Sequence, residues 1–176
     1  MAGRPPGPIR WGWHRLADHW AADLVARAGV RPGDLVVDLG AGTGALTAPL
    51  VAAGAHVVAV ELHPERVAQL RARFAGDPVT VVRADITQLR LPRRPFTVVA
   101  NPPFAIVAGT VRLLTQPQVA LRRADLVVPL HTARRILTRR LPPGLHASVD
   151  ARIPRSAFSP RPSVDVAVLT IRRSNR

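Results

Sequence analysis

The chain has 176 residues, which is enough for one domain with a hydrophobic core of its own. Cysteine is absent, so disulfides, thiolate metal ligands and a cysteine nucleophile are excluded, and the six histidines lack the paired spacing that would predict a metal site. All 25 basic residues are arginine and face 11 acidic ones, and the resulting formal charge of +14 predicts a nucleic acid as the partner.

The N-terminal stretch, residues 1–13, is rich in proline, glycine and arginine and predicts a flexible basic arm, while residues 14–176 are predicted to form one domain. No apolar segment of the kind found in secretory signals follows Arg4 or Arg10, and no apolar run is long enough to span a membrane. These features favour a cytoplasmic protein without a membrane partner.

Short apolar segments alternate with helical patterns along the rest of the chain. Apolar residues at helical spacing predict a first helix over 14–28, which Gly29 ends. Strands are predicted over 35–39, 56–61, 79–82, 96–100 and 124–130, and helices over 44–53, 64–74, 106–115 and around 134–140. Two further β runs, 148–154 and 164–171, fit a terminal hairpin. The predicted fold class is therefore α/β: a Rossmann-like, mostly parallel seven-stranded sheet with an antiparallel edge hairpin.

A glycine-rich loop, Asp-Leu-Gly-Ala-Gly-Thr-Gly from Asp38, joins the first strand to the next helix. Its glycines, Gly40 and Gly42 among them, let a nucleotide-like ligand approach the backbone at the carboxyl ends of the strands. Glu61 ends the second strand, where a carboxylate can accept hydrogen bonds from both ribose hydroxyls of an adenosine. Asp85 ends the third strand and is well placed for the adenine amino group. Three strand ends are thus predicted to converge on one adenosine.

A dinucleotide fold is the competing interpretation, because Gly40, Gly42 and Ala45 also satisfy the looser G-x-G-x-x-G/A pattern. Two features favour S-adenosylmethionine instead. The acidic Asp38 beside the loop would repel a pyrophosphate, whereas it suits a sulfonium or, through water, the amino-acid tail of the cofactor. No substrate domain for a dehydrogenase follows in this sequence.

The segment Asn-Pro-Pro-Phe, which starts at Asn101, follows the fourth strand and so lies at the same sheet edge as the glycine loop. An adenine N6 amino group is a poor nucleophile, since its lone pair is delocalised into the ring, and hydrogen-bond acceptors can draw it toward tetrahedral geometry. The Asn101 side-chain oxygen and the Pro102 carbonyl are such acceptors. Phe104 offers a face on which a flipped adenine can stack. These three residues are the predicted catalytic residues of methyl transfer to adenine N6.

With these motifs in place, the chain resembles the Erm and KsgA type of ribosomal RNA adenine N6-methyltransferase, most closely the Erm family, over about residues 14–171. The glycine loop, Glu-Leu-His-Pro from Glu61, Ala-Asp at Asp85 and the Asn-Pro-Pro-Phe segment match in order and spacing. The tail from Phe158, F-S-P-R-P-S-V-D-V-A, resembles that family's F-x-P-x-P-x-V-D-S-A segment. The resemblance implies a class I S-adenosylmethionine-dependent methyltransferase fold.

The resemblance also implies the cofactor contacts. Only His14 and Leu16 match the family's Gln-Asn/His-Phe-Leu segment before the first helix, because Trp-His-Arg-Leu stands there in this chain. Pro102 stands where the family commonly has isoleucine or leucine, although its carbonyl acceptor is retained. The implied S-adenosylmethionine contacts, with Gly42 added from the glycine loop, are His14, Leu16, Gly40, Gly42, Glu61, Asp85 and Asn101. No metal is expected.

Typical members append a helical RNA-binding domain, whereas this sequence ends at Arg176, so a short form is expected. RNA affinity would then come from arginines in the clusters 10–15, 134–140 and 172–173. The implied substrate is the macrolide-site adenosine of 23S rRNA, free or in pre-50S particles, with macrolide-lincosamide-streptogramin resistance as the outcome and a monomer as the acting species. Two alternatives stay open: a KsgA-like 16S rRNA dimethyltransferase, and a non-catalytic RNA-binding factor for ribosome assembly.

Overall fold

The computed structural model describes residues 13–174, so nearly all of the predicted basic arm, 1–13, lies outside the described residues. The strands are β1 (Arg15–Leu16), β2 (Leu35–Leu39), β3 (His56–Glu61), β4 (Val79–Arg83), β5 (Phe96–Ala100), β6 (Leu121–Pro129), β7 (Leu145–Ile153), β8 (Phe158–Ser159) and β9 (Val166–Arg173). The α-helices are α1 (Asp18–Ala28), α2 (Thr47–Ala52), α3 (Pro64–Arg73), α4 (Val107–Leu114) and α5 (Leu130–Leu137).

Seven strands form one sheet in the order β4-β3-β2-β5-β6-β9-β7. The five strands from β4 to β6 are parallel, and β9 runs antiparallel to both β6 and β7. This arrangement confirms the predicted mostly parallel seven-stranded sheet and its antiparallel edge hairpin. The strand order reverses between β2 and β5, and in such sheets the crevice beyond the carboxyl ends at this point receives the ligand.

The central strands are mostly apolar, as is typical of strands with helices on both faces. Val37 and Val98 are fully buried in a core cluster that includes residues of α4, whereas their chain neighbours Val36 and Val99 are buried in a second cluster that includes residues of α1. Successive side chains of a strand point to opposite faces, so both sets are removed from water. The two packed faces hold the carboxyl ends of β2 and β5 in fixed relative positions.

The N-terminal segment corrects the predicted first helix. Helix α1 begins at Asp18 rather than at residue 14, and it ends before Gly29 as predicted, with that glycine in the left-handed conformation. Residues Arg15 and Leu16 instead form β1, which pairs antiparallel with β8. Leu16 is 1% exposed within the second core cluster. Its apolar character therefore reflects packing against a distant strand rather than a helical face.

The start of β6 also differs from the sequence prediction. The strand begins at Leu121 rather than at residue 124, and its second and third residues are Arg122 and Arg123. Because these two charged residues interrupt the apolar pattern, the sequence prediction placed the start of the strand at residue 124, after both of them. The ladder nevertheless includes Arg123, which pairs with Arg172 on β9.

Candidate active site

The glycine loop between β2 and α2 is held by the neighbouring strand and approached by the Asn-Pro-Pro-Phe segment. The backbone N–H groups of Gly40 and Ala41 donate to the Val60 carbonyl at 2.8 and 2.9 Å. Gly40 has φ of +77°, and a Cβ atom there would lie 3.3 Å from Cδ of Pro103 and 3.6 Å from Cα of Pro102. Glycine at this position therefore lets the two predicted site loops come into contact.

Glu61 is a buried carboxylate at the end of β3, with 6% exposure. Its Oε2 accepts a hydrogen bond from the Gly42 N–H at 2.9 Å, and its Oε1 accepts from the N–H groups of Leu62 and His63, also at 2.9 Å. An ionised carboxylate offers about four acceptor positions, and backbone N–H groups already use three of those of Glu61. Glu61 thus fixes the glycine loop, and it retains capacity for about one ligand hydroxyl rather than the two expected.

Asp38 is the least satisfied polar side chain of the site. It is 1% exposed, and its Oδ2 accepts from Thr47 Oγ1 at 2.7 Å, whereas Oδ1 has no hydrogen-bond partner among the described residues. Burial raises the pKa of this carboxyl group to about 7, and the nearby Glu61 charge adds to the rise. A buried acceptor of this kind is stabilised by a cationic or N–H-bearing ligand.

Asp85 follows β4 and caps a short 3₁₀ turn, Ile86–Gln88. Its Oδ1 accepts from both N and Oγ1 of Thr87, at 2.8 and 2.7 Å, and these hydrogen bonds lower the pKa of the Asp85 carboxyl. The group is therefore held ionised and in one orientation. The turn lies next to the glycine loop, since a Cβ on Gly40 would lie 3.7 Å from the Ile86 side chain.

Asn101 directly follows β5 and is half-buried. Its amide nitrogen Nδ2 donates to the backbone carbonyl of His14 at 2.7 Å. This hydrogen bond orients the amide group, whose oxygen is the one atom of the side chain that can accept a hydrogen bond. This is the atom that the sequence argument requires for polarising an amino group.

The residues before α1 pack over the predicted site. The His14 ring hydrogen-bonds through Nδ1 to the Pro160 carbonyl at 2.7 Å, and its centroid lies 5.1 Å from that of Phe104. The Trp13 indole covers the glycine loop, since a Cβ on Gly42 would lie only 2.9 Å from its Nε1. The Arg66 guanidinium lies over the Trp13 ring, 4.2 Å from its centroid.

A small cavity of about 20 Å³ remains beneath this segment, and its lining includes Trp13, Leu16, Asp38, Gly40 and Asn101. Pockets that bind cofactor-sized ligands measure roughly 300–1,000 Å³. A nucleoside-sized ligand can therefore reach the glycine loop only if the Trp13 side chain moves.

The structure brings most of the predicted site residues together at one sheet edge. Leu16, Gly40 and Asn101 line the same cavity, His14 and Phe104 lie in contact beside it, and Glu61 is bonded to Gly42. Sequence reasoning left Trp13 out of the site, because it stands at the end of the arm-like composition. It expected Asp38 to suit the sulfonium or the amino-acid tail of the cofactor but left it out of the cofactor contacts, and the unpaired buried oxygen of Asp38 has no sequence signal.

Within residues 13–174, no three His, Cys, Asp or Glu side chains are grouped so that they could hold a metal ion. The helices of this part of the chain also include none that is long and apolar enough to cross a membrane.

The sequence profile of the family described as ribosomal RNA adenine dimethylase matches residues 17–176. The chain belongs to this family. Its members are S-adenosylmethionine-dependent methyltransferases, which confirms the predicted cofactor and the predicted class I methyltransferase fold.

The relatives of this chain include a resistance protein and a 23S rRNA methyltransferase on the one hand, and a small subunit rRNA methyltransferase on the other. The mycinamicin-resistance protein MyrB of Micromonospora griseorubida is 36% identical, with 86% of this chain and 50% of the relative aligned. The ribosomal RNA small subunit methyltransferase A of Thermosynechococcus vestitus is 33% identical, with 90% and 68% aligned. The crystal structure of the 23S rRNA methyltransferase ErmE superposes with a TM-score of 0.81 at 27% identity, with 90% and 68% covered. The chain thus spans half to two thirds of the length of these relatives.

Proposed function

We propose that this chain transfers a methyl group from S-adenosylmethionine to N6 of an adenosine in ribosomal RNA. The observation that carries the proposal is the orientation of Asn101. Its Nδ2 donates to the His14 carbonyl, which orients the amide group and its acceptor Oδ1, and Asn101 lines the same cavity as Gly40 and Asp38. An acceptor next to a cofactor loop is what polarisation of an amino nucleophile requires.

The cofactor fits the polar groups of the site. The unpaired Oδ1 of Asp38 is a buried acceptor that suits the positively charged amino-acid portion, directly or through a water molecule. Glu61 has capacity for a ribose hydroxyl, Asp85 lies beside the loop for the adenine amino group, and Gly40 and Gly42 allow close approach of the ligand. When bound, S-adenosylmethionine supplies an electrophilic methyl group on its sulfonium.

The chain's own residues then act on the nucleophile. Oδ1 of Asn101 and the carbonyl of Pro102 accept hydrogen bonds from the N6 amino group and favour its tetrahedral form, while Phe104 stacks against the flipped base. Held by the glycine loop, Glu61 and Asp85, the cofactor would supply its methyl group to N6 and be left as S-adenosylhomocysteine, and the surplus N6 proton would pass to solvent. The side chains act by position and polarity, so the step requires no general base.

The charge of the chain supports an RNA substrate. Arginine outnumbers acidic residues by 25 to 11, and the cluster on and after α5 is exposed on the surface of the domain, at Arg134, Arg135, Arg139 and Arg140. Contacts between arginines and phosphates supply most of the sequence-independent affinity for nucleic acid. We infer that the chain acts as a monomer in the cytoplasm, on free rRNA or on pre-ribosomal particles.

The proposed target is the macrolide-site adenosine of 23S rRNA, with resistance to macrolide, lincosamide and streptogramin antibiotics as the result. The relative named for mycinamicin resistance and the structural similarity to a 23S rRNA methyltransferase support this choice. So does the Asn-Pro-Pro-Phe segment, because the KsgA type carries Asn-Leu-Pro-Tyr there. The similarity to a small subunit methyltransferase favours 16S rRNA as the second candidate.

The test is methyl incorporation from labelled S-adenosylmethionine into unmodified 23S and 16S rRNA, with modified positions mapped by reverse-transcriptase stops and mass spectrometry. Label at the macrolide-site adenosine, together with a raised macrolide tolerance of cells that express the chain, supports the 23S assignment. Label confined to 16S rRNA establishes the second candidate. Cofactor binding without label in either RNA contradicts the proposed reaction and favours a ribosome-assembly factor.

A further inference from the structure

A second cavity lies far from the glycine loop, at the amino ends of the parallel strands. It measures about 440 Å³ and is lined by the turn between α1 and β2, the starts of β5 and β6 and the end of β9. Thr97 of β5 lines it, four residues before Asn101. At about 3.3 Å per residue, the two sites are therefore separated by about 13 Å along this strand. The cavity and the active site face opposite edges of the same sheet.

The side chains around this cavity are mainly cationic. Asp34 is the one carboxylate among the residues that line it, and two further carboxylates, Asp125 and Asp150, pair with lining arginines. Five positive charges thus face three negative ones among the described side chains, which leaves an excess of two. The arginines that line it are Arg31, Arg122, Arg123, Arg172 and Arg173.

Two of these guanidinium groups are held in place by the fold. Arg123 donates through Nε and Nη2 to both oxygens of Asp125, at 2.5 and 2.8 Å, and Asp125 is 1% exposed. Arg173 donates through Nε and Nη2 to the carbonyls of Leu121 and Val119, at 3.0 and 3.1 Å. A guanidinium has five N–H donors in a planar fork, so each group remains able to donate through Nη1. The wall of the cavity is therefore a preorganised array of donors.

The other arginines are more loosely held. Arg122 and Arg172 are more than half exposed, and the Arg122–Asp34 pair is separated by 3.6 Å. Exposed ion pairs of this kind contribute little to the stability of the fold. Their arginines can therefore exchange the carboxylate for another anion at a small cost in free energy. Arginine is also well matched to phosphate, since its fork binds two oxygens at once.

We propose that this cavity, here called the amino-edge cavity, binds backbone phosphates of the RNA at a distance from the adenosine that is methylated. The proposal rests on the proposed function for its choice of RNA. The cavity is wider than one phosphate group needs, its arginines come from three separate chain segments, and the net charge of +14 attracts a polyanion. Because it faces away from Asn101, it contacts only RNA that extends beyond the target loop.

The test compares two double variants that remove the same charge. Arg31→Gln with Arg122→Gln alters the amino-edge cavity and leaves the structural Arg123 and Arg173 intact. Arg71→Gln with Arg112→Gln, two exposed arginines on α3 and α4, is the control. Affinity for a long rRNA fragment and for a short hairpin with the target loop alone is measured by fluorescence anisotropy across a salt series, and KM and kcat are measured for methyl transfer. Thermal melting verifies that all variants fold.

The cavity variant is expected to bind the long fragment about tenfold more weakly, with a salt slope reduced by about two. Its KM should rise in parallel at unchanged kcat, while the short hairpin and the control variant behave as wild type. Equal losses of RNA affinity in the cavity and control variants would show that only the total charge of the chain matters. An equal loss of affinity for the short hairpin would show an effect on the active site. Either result overturns the proposal.

Inorganic phosphate distinguishes a free anion from an RNA backbone. Displacement of the long fragment only at high phosphate concentration supports the proposal. Tight phosphate binding that the cavity variant loses, with RNA affinity unchanged, would assign the cavity to a free anion instead. Since anisotropy does not depend on catalysis, RNA binding through the cavity remains measurable if the chain methylates no rRNA, which separates this proposal from the proposed reaction.

Discussion

The two edges of the central sheet differ in charge and in size. The carboxyl edge carries the carboxylates Asp38, Glu61 and Asp85 and a cavity of about 20 Å³ that Asp38 lines, whereas the amino edge carries five arginines around a cavity of about 440 Å³. A cationic cofactor suits the first edge, and a polyanion suits the second. The proposed sulfonium site and the proposed phosphate site thus lie at opposite edges of one sheet, so the two opposite charges need not compete for the same groups.

The largest loss of activity is expected when the proposed polarising group at the carboxyl edge is removed. Asn101→Ala should lower kcat for methyl transfer by about 10²–10³-fold, because one preorganised hydrogen bond to the reacting amino group is lost. Cofactor affinity, measured by calorimetry, should be only partly weakened. Gln69→Ala, which removes an exposed amide from α3, serves as the control. Undiminished methyl incorporation by the Asn101 variant would refute the mechanism.

The acidic character of the same edge is tested by Asp38→Asn. Loss of the negative charge should weaken S-adenosylmethionine binding about tenfold, since a hydrogen bond to a charged group is replaced by a neutral one. The pKa of Asp38 is raised to about 7, so wild-type affinity should increase as pH rises from 6 to 8 and the variant should lack this increase. Asp77→Asn, at an exposed carboxylate, is the control, and a pH dependence retained by the Asp38 variant would exclude this role.

The same carboxyl group should destabilise the cofactor-free protein at high pH. A folded-state pKa above the unfolded value means that the stability contribution is complete below about pH 4 and is lost as pH rises through 7. Asp38→Asn should therefore raise the free energy of unfolding by about 1–3 kcal/mol at pH 8.5 and change it little near pH 4. Urea unfolding at both values measures this, and an equal effect at the two pH values would contradict the assignment.

The smallest expected effect concerns Trp13, which closes the small cavity. Cofactor binding requires this indole to move, so the tryptophan emission should change on addition of S-adenosylmethionine. Trp13→Phe should remove most of the change, whereas Trp20→Phe, on α1, should retain it. If the Trp13 variant showed the full change in tryptophan emission, the cofactor would enter without displacing the indole.

Much of the fold could be predicted because its signals are local. The apolar runs at β2, β3 and β5 fall on the predicted residues, since strands buried on both faces have a mostly apolar sequence. The predicted boundaries of elements were wrong where side chains lie in surroundings that are unusual for their residue type. The charges of Arg122 and Arg123 hid the start of β6, and Leu16 fits a helical pattern although it lies in a two-residue strand.

The glycine loop, the Asn-Pro-Pro-Phe segment and their common edge of the sheet follow from the sequence alone, because the carboxyl ends of parallel strands always meet there. The orientation of the Asn101 amide depends instead on packing, through a hydrogen bond to a residue 87 positions away, and so does the position of His14, which a carbonyl 146 positions away fixes. The burial that raises the pKa of Asp38 and the assembly of five arginines at the amino edge are likewise products of packing. Such features depend on contacts between distant segments, and no local pattern encodes them.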